Sequence, residues 1–302
     1  MDTRKIKSYL MLGLFTLLFF IQIIPVAHSI FTVLANGLTV IIRDPVTILF
    51  REPPPPGSSE KGGIGPYLLG TLLLVSIASL IGIPISILAA AYSNEGYNRT
   101  LGWLSRLVAR LIVEFPTIII GLSVYGVVIL LNEALNRFIE YLGLGTVVYI
   151  PRFSTLSGAI ALAIVMIPYV FTQSDEGFSS IPQSIREAVY ALGVSRVRVF
   201  LVLSGYIKSF IISGAIIGVA KILGETAPLL FTAFGNDFYV NRFPDILLNP
   251  IGSLTLWIFK AALSPYDNWI ELAWAASSIL ILIILILFIV SRYLIYKGEF
   301  FK

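Results

Sequence analysis

Residues 67–92 read YLLGTLLLVSIASLIGIPISILAAAY, without one charged side chain. A helix needs roughly 20 apolar residues to cross the hydrocarbon layer of a bilayer, so this stretch is long enough to span. The rest of the chain agrees with it. Hydrophobic residues make up 57% and charged residues 13%, against roughly a quarter charged in an average soluble domain. Too little polar surface remains to coat a water-soluble globule of 302 residues. Cys is absent, which excludes disulfides and thiolate metal sites. The net charge of +4 fits basic residues gathered in cytoplasmic loops of a membrane protein, and no nucleic-acid partner is implied.

Outward from that stretch, five further segments are candidate spans: Ser8 to about Ile30, Leu111–Leu131, Thr155–Gln173, Ile207–Phe234 and Leu272–Val290. The expected fold is therefore an all-α integral membrane protein with six transmembrane helices. The uncharged run from Ser8 to Ile42 is far longer than the roughly 7–15 residues of a signal-peptide core. It predicts a retained first helix, kinked near Pro25. With the N-terminus inside, the inner loops, which include Arg4, Arg99, Arg106, Arg196 and Arg292, carry about twice the Lys and Arg of the outer ones. Both termini are expected to be cytoplasmic, in a multi-pass protein of the plasma or inner membrane. Asn98-Arg99-Thr100 matches a glycosylation sequon but falls on the inside.

The outer segment Arg43–Pro66 holds Pro53-Pro54-Pro55-Pro56 and then Gly57-Ser58-Ser59, a stiff piece followed by a loose one. It divides the chain into residues 1–66, a first helix with an extracellular linker, and residues 67–302, a core of five spans. Ile246–Leu263 is apolar but interrupted by Asn249-Pro250 and Gly252, which predicts an interfacial or re-entrant piece. Glu114, before Phe115-Pro116, is expected at a helix start, where a carboxylate suits the N-terminal amides. Thr117, Gly121 and Gly126 are small enough for close helix approach. His28, the only histidine, is expected to be interfacial or packed.

Between the fourth and fifth spans lies the loop 174–205, containing Pro182-Gln183-Ser184-Ile185-Arg186-Glu187-Ala188-Val189-Tyr190-Ala191-Leu192-Gly193. Pro182 suits a helix's first turn and Gly193 its stop. Ile185, Ala188, Val189 and Leu192 fall at i, i+3, i+4 and i+7, one apolar face. Ser195 can cap the next helix. A short amphipathic helix of this kind either lies in the headgroup layer or serves as a docking knob for another protein.

Within the fifth span, Lys221 and Glu225 stand four residues apart, on one helical face. Charges at mid-membrane cost roughly 2.5–3.5 kcal/mol each on insertion scales. They persist either as a self-satisfying structural pair or along a wet path, where Lys221 would help an anion through and Glu225 would weaken the trap.

Here the sequence resembles a family. Glu187-Ala188, with Gly193 five residues after Ala188, looks like the EAA loop of type I ABC importer permeases. Lys221-Ile222-Leu223-Gly224-Glu225-Thr226-Ala227-Pro228-Leu229-Leu230-Phe231-Thr232-Ala233 resembles a block of the PstA-type phosphate permeases. Gly63, Gly70-Thr71-Leu72, Glu176, Ser264-Pro265 and Leu272-Ala273-Trp274-Ala275-Ala276 follow in that family's order, so the likeness runs from about Gly62 to the last span. Two departures stand out: Gly205-Tyr206 replace the usual Leu-Pro pair, and Lys221 replaces an Arg, keeping the charge but losing its planar fork.

The resemblance implies a permease subunit of an ATP-driven phosphate importer, with a type I ABC permease fold. It implies an ATPase-coupling loop at Arg186, Glu187, Ala188, Leu192 and Gly193, and a translocation pathway at Lys221, Glu225 and Thr226. The implied partners are a second, PstC-like permease, two PstB-like ATP-binding subunits and a PstS-like external phosphate-binding protein. No cofactor or metal is implied for the chain itself, ATP being bound by partner subunits. A PstC-type sister, a sulfate or molybdate permease and a non-ABC channel are the alternatives.

Other function classes fit less well. One histidine cannot make a His-Glu-x-x-His metallopeptidase, and Asp175, Asp237, Asp245 and Asp267 lie in loops or at span ends, which disfavours an aspartyl pair. The matched broken helices of many secondary carriers are not found. No glycine precedes a lysine, so the phosphate-cradling loop of an ATPase is absent and a powered permease needs a partner that supplies it.

Overall fold

A computed structural model describes residues 3–299 apart from 59, 97, 144–148 and 241. Ser59 of the proline-rich segment lies outside the described residues. The chain is all-α among them, with thirteen helices and a lone backbone bridge between Phe234 and Ile251. In order these are α1 (Thr3–Arg43), α2 (Pro45–Phe50), α3 (Gly65–Glu95), α4 (Arg99–Glu114), α5 (Thr117–Tyr141), α6 (Thr155–Ser179) and α7 (Gln183–Ala191). Then come α8 (Arg196–Tyr206), α9 (Lys208–Leu223), α10 (Ala227–Leu230), α11 (Asp245–Leu248), α12 (Leu254–Ala262) and α13 (Asp267–Glu299).

Five helices, α1, α3, α5, α6 and α13, are long and apolar enough to cross a membrane. The expected span Ile207–Phe234 is divided, α9 covering Lys208–Leu223 and α10 Ala227–Leu230. Only α8 and α9 together pass the same test, and they bend by 77° at Ile207. The Ile207 side chain at that bend is buried in the core. Helix α9 then ends at Leu223, because Gly224 favours an end and Pro228 favours the start of a new helix, α10. The third expected span is also corrected at its start. Leu111 belongs to α4, which stops at Glu114, and the chain restarts after Pro116. Glu114 thus closes one helix rather than opening the next.

Helix α6 is the centre, packed against α3, α9, α4 and α5. Small residues make this possible. A Cβ on Gly82 of α3 would stand 3.2 Å from the Met166 sulfur, and one on Gly218 of α9 would stand 2.8 Å from Val170. Gly121 lets α5 approach the Pro228 backbone as expected, whereas Gly126 has nothing near it. Three apolar clusters stack along the bundle. Leu74, Leu162, Met166, Ile222 and Leu229 occupy the middle. Tyr67, Trp257 and Trp269 lie at one end, and Ala90, Phe178, Val189 and Leu203 at the other.

Helix α1 continues unbroken past Pro25 to Arg43 and meets α13 antiparallel, the Ser278 hydroxyl donating to the Val33 carbonyl at 2.7 Å. Its part from Tyr9 to Phe31, His28 included, is exposed in the isolated chain. Both terminal segments therefore point away from the tryptophan end, toward the end that holds α7. The proline-rich segment is clamped rather than loose. Trp269 Nε1 donates to the Pro54 carbonyl at 3.0 Å, Asn268 to that of Ser58 at 3.0 Å, and the Tyr239 hydroxyl to that of Phe50 at 2.7 Å. The apolar stretch Ile246–Leu263 forms the short α11 and α12, too short to span and buried at Leu254, Leu256 and Trp257. Asn98 of the sequon caps α4, its side-chain oxygen accepting from Thr100 N at 2.9 Å.

Candidate functional sites at the bundle end and in the broken span

The loop expected to couple to a partner folds as α7, bounded as the residues suggest. Pro182 is its N-cap, and Gly193, at φ +63°, turns the chain after it. Ser195 holds the cap position of α8 without a side-chain capping bond. The expected apolar face is only half right. Val189 is buried and Ile185 half-buried, but Ala188 is exposed and Leu192 is 71% exposed.

The helix is rotated because polar groups claim its inner side. Arg186 pairs with Glu95, the last residue of α3, and donates to the Phe178 carbonyl of α6. The Tyr190 hydroxyl donates to the other Glu95 oxygen at 2.9 Å. Burial, and then the hydrogen bond and charge of Glu95, raise the Tyr190 pKa, so this phenol keeps its proton and its donor role at neutral pH. Of the five expected coupling residues, Arg186 thus points inward, while Glu187, Ala188, Leu192 and Gly193 make up the bare outer side.

A second polar network beside it joins three helices and escaped the sequence reading. Arg106 of α4 grips Asp175 of α6 through two bonds of 2.8 and 2.9 Å. Asn94 of α3 donates to Asp175 at 2.7 Å and accepts from Ser179 at 2.9 Å. The hydrogen bond to Asp175 raises the Arg106 pKa. Nothing in the local pattern announces these partners, since Arg106 and Asp175 are far apart in sequence.

The second candidate site lies where α9 breaks. Lys221 Nζ stands 2.7 Å from Glu225 Oε1. The expected stacking on one helix is replaced by a pair that straddles the end of α9, with Glu225 in the break. The two partners are unequally placed, the Lys221 side chain being 39% exposed and that of Glu225 9%. Around the break, hydroxyls hold the backbone together. Thr255 donates to the Glu225 carbonyl at 2.8 Å, Thr71 accepts from Leu254 N at 2.8 Å, and Ser253 and Thr255 are 3.0 Å apart. A void of about 10 Å³ beside Glu225 is lined by Thr71, Ser253 and Thr255 and by apolar side chains that include Leu74, Leu162 and Leu229. Thr226 is half-buried and opens α10. The pair can hold a charge in the membrane interior with one side, the ammonium, left open. Among the described residues no group of His, Asp and Glu could hold a metal ion.

The family model for the binding-protein-dependent transport system inner membrane component matches residues 82–297, which include α7 and the Lys221–Glu225 pair and leave out α1, α2 and the start of α3. A probable phosphate transport system permease protein PstA of Methanocaldococcus jannaschii is 35% identical over 96% of this chain and 94% of its own. Phosphate transport system permease proteins PstA of Pasteurella multocida and Haemophilus influenzae are 33% and 34% identical, each over 96% of this chain and 94% of theirs.

Proposed function

Because the chain belongs to the family of binding-protein-dependent transport system inner membrane components, we propose that it is the PstA-type permease subunit of an ATP-driven phosphate importer. Similarity to phosphate permeases over nearly its whole length is the observation that carries this reading. The chain is a multi-pass membrane protein and a permease component rather than an enzyme.

On this reading the α7 end faces the cytoplasm, as do both termini, and the tryptophan end faces outward. Residues 1–66 add a span and an outer cover to a permease core formed by residues 67–302. A second permease subunit of PstC type completes the pathway, two PstB-like subunits bind ATP on the inside, and a PstS-like protein delivers phosphate from outside. The chain itself holds no cofactor. The bare side of α7, with Glu187, Ala188, Leu192 and Gly193, is the surface that seats on an ATP-binding subunit, and Arg186 fixes that helix from behind.

The broken span is the gate. An anion leaving water needs passing cationic help, which the half-open ammonium of Lys221 supplies, while the buried Glu225 carboxylate keeps that site from becoming a trap. Thr226 stands at the hinge between α9 and α10, where tilting of the core helices changes access. The test is reconstitution of the purified complex in vesicles. ATP-dependent uptake of labelled phosphate in preference to sulfate and molybdate is the expected result; uptake without ATP, or a preference for either rival anion, contradicts the reading.

A further inference from the structure

We infer that Glu95 is a positioning residue, clamping α7 at two points so that α3 becomes the lever that α7 moves. The inference rests on the importer reading above. Helix α7 has nine residues, too few to be stable alone, and only Val189 among them is buried. Its polar attachments therefore carry much of its placement.

Arg186 and the partly exposed Tyr190 are one helical turn apart on the side of α7 that faces Glu95, and each takes a different oxygen of its carboxylate. One contact would let a short helix swivel about the bond. Two contacts one turn apart oppose that rotation. Arg186 also donates to the Phe178 carbonyl near the end of α6, so the clamp reaches the two helices, α3 and α6, that share the most extensive contact in the fold.

Helix α3 leads from the clamp to the gate. Thr71, 24 residues before Glu95 on the same helix, accepts from Leu254 N, a run of about 36 Å at 1.5 Å per residue. Leu254 adjoins Ser253 and Thr255, and Thr255 holds the Glu225 carbonyl at 2.8 Å. A displacement of α7 is thus delivered along α3, which stays helical through Pro84, to the backbone that carries the buried carboxylate. The Arg106–Asp175 pair joins α4 and α6 to Asn94 of α3, beside Glu95, without touching α7.

The experiment measures phosphate imported per ATP hydrolysed by the reconstituted complex carrying E95Q or Y190F. Loss of the ion pair in E95Q lowers this ratio about tenfold, within the range of coupling between two sites, and Y190F, which removes one attachment, lowers it less. A role confined to stability would reduce uptake and hydrolysis together and leave the ratio alone. Should E95Q not assemble, Y190F, which keeps the ion pair, decides. An unchanged ratio in either assembled variant overturns the inference. Failure of the unsubstituted complex to import phosphate with ATP contradicts instead the function on which it rests.

Discussion

The ion pair of Lys221 with Glu225 and that of Arg186 with Glu95 differ in what they join. The first is local, four residues across the end of α9, although the Glu225 backbone is also held by Thr255 at 2.8 Å. The second reaches from the surface helix α7 back to the end of α3, elements separated by three helices in the chain. A local pair can hold a charge in an apolar interior; a distant pair can also pass on displacement. In this chain the local pair sits beyond the end of α9 and the distant one under the exposed side of α7, so on the proposed function substrate handling and force transmission would divide along the wiring of the charges.

The comparison is broken most severely by removing the partner surface itself. Gly193→Asp strains a residue at φ +63° by about 1–2 kcal/mol and sets a carboxylate on the bare side of α7. ATP-driven uptake should fall at least about tenfold, the range of a lost inter-site coupling, and the ATP-binding subunits should no longer copurify. Normal uptake by this variant would deny α7 its docking role.

Next in size is the local pair. Lys221→Ala leaves the nearly buried Glu225 carboxylate without its counter-charge, at a cost of about 1–3 kcal/mol, read as a lower melting temperature in detergent. Adding Glu225→Gln should recover part of that stability without recovering uptake. Unchanged uptake at low phosphate by an assembled Lys221→Ala complex would reduce the pair to a structural device.

The smallest effect is expected where a distant pair does not touch α7. Arg106 is 36% exposed on its side chain, so Arg106→Gln should cost about 1 kcal/mol and leave phosphate imported per ATP unaltered. A fall in that ratio would mean that coupling spreads through every bridge at this end of the bundle, not through Glu95.

These contrasts also explain what the sequence could say. Five spans, the short helix before Gly193 and the Lys221–Glu225 pair were legible because each depends on hydrophobic runs or on spacing within one segment. The break at Gly224 and Pro228 was written in the chain too, but the apolar run around it suggested an unbroken span. The rotation of α7 was not legible. Periodicity placed Ala188 and Leu192 inward with Val189, whereas Glu95, 91 positions before Arg186, draws Arg186 and Tyr190 to that side. The clamped proline-rich segment was hidden for the same reason, since its partners Trp269, Asn268 and Tyr239 come from the far end of the chain.

The proposed function turns on the driving force entering through the outer side of α7. A photoreactive side chain placed at Leu192 in the full complex, in native membranes, tests this without removing any contact of the clamp. We expect an adduct with a nucleotide-hydrolysing subunit, formed in the unsubstituted background and lost when Gly193→Asp is added. Adducts with lipid alone would contradict the account.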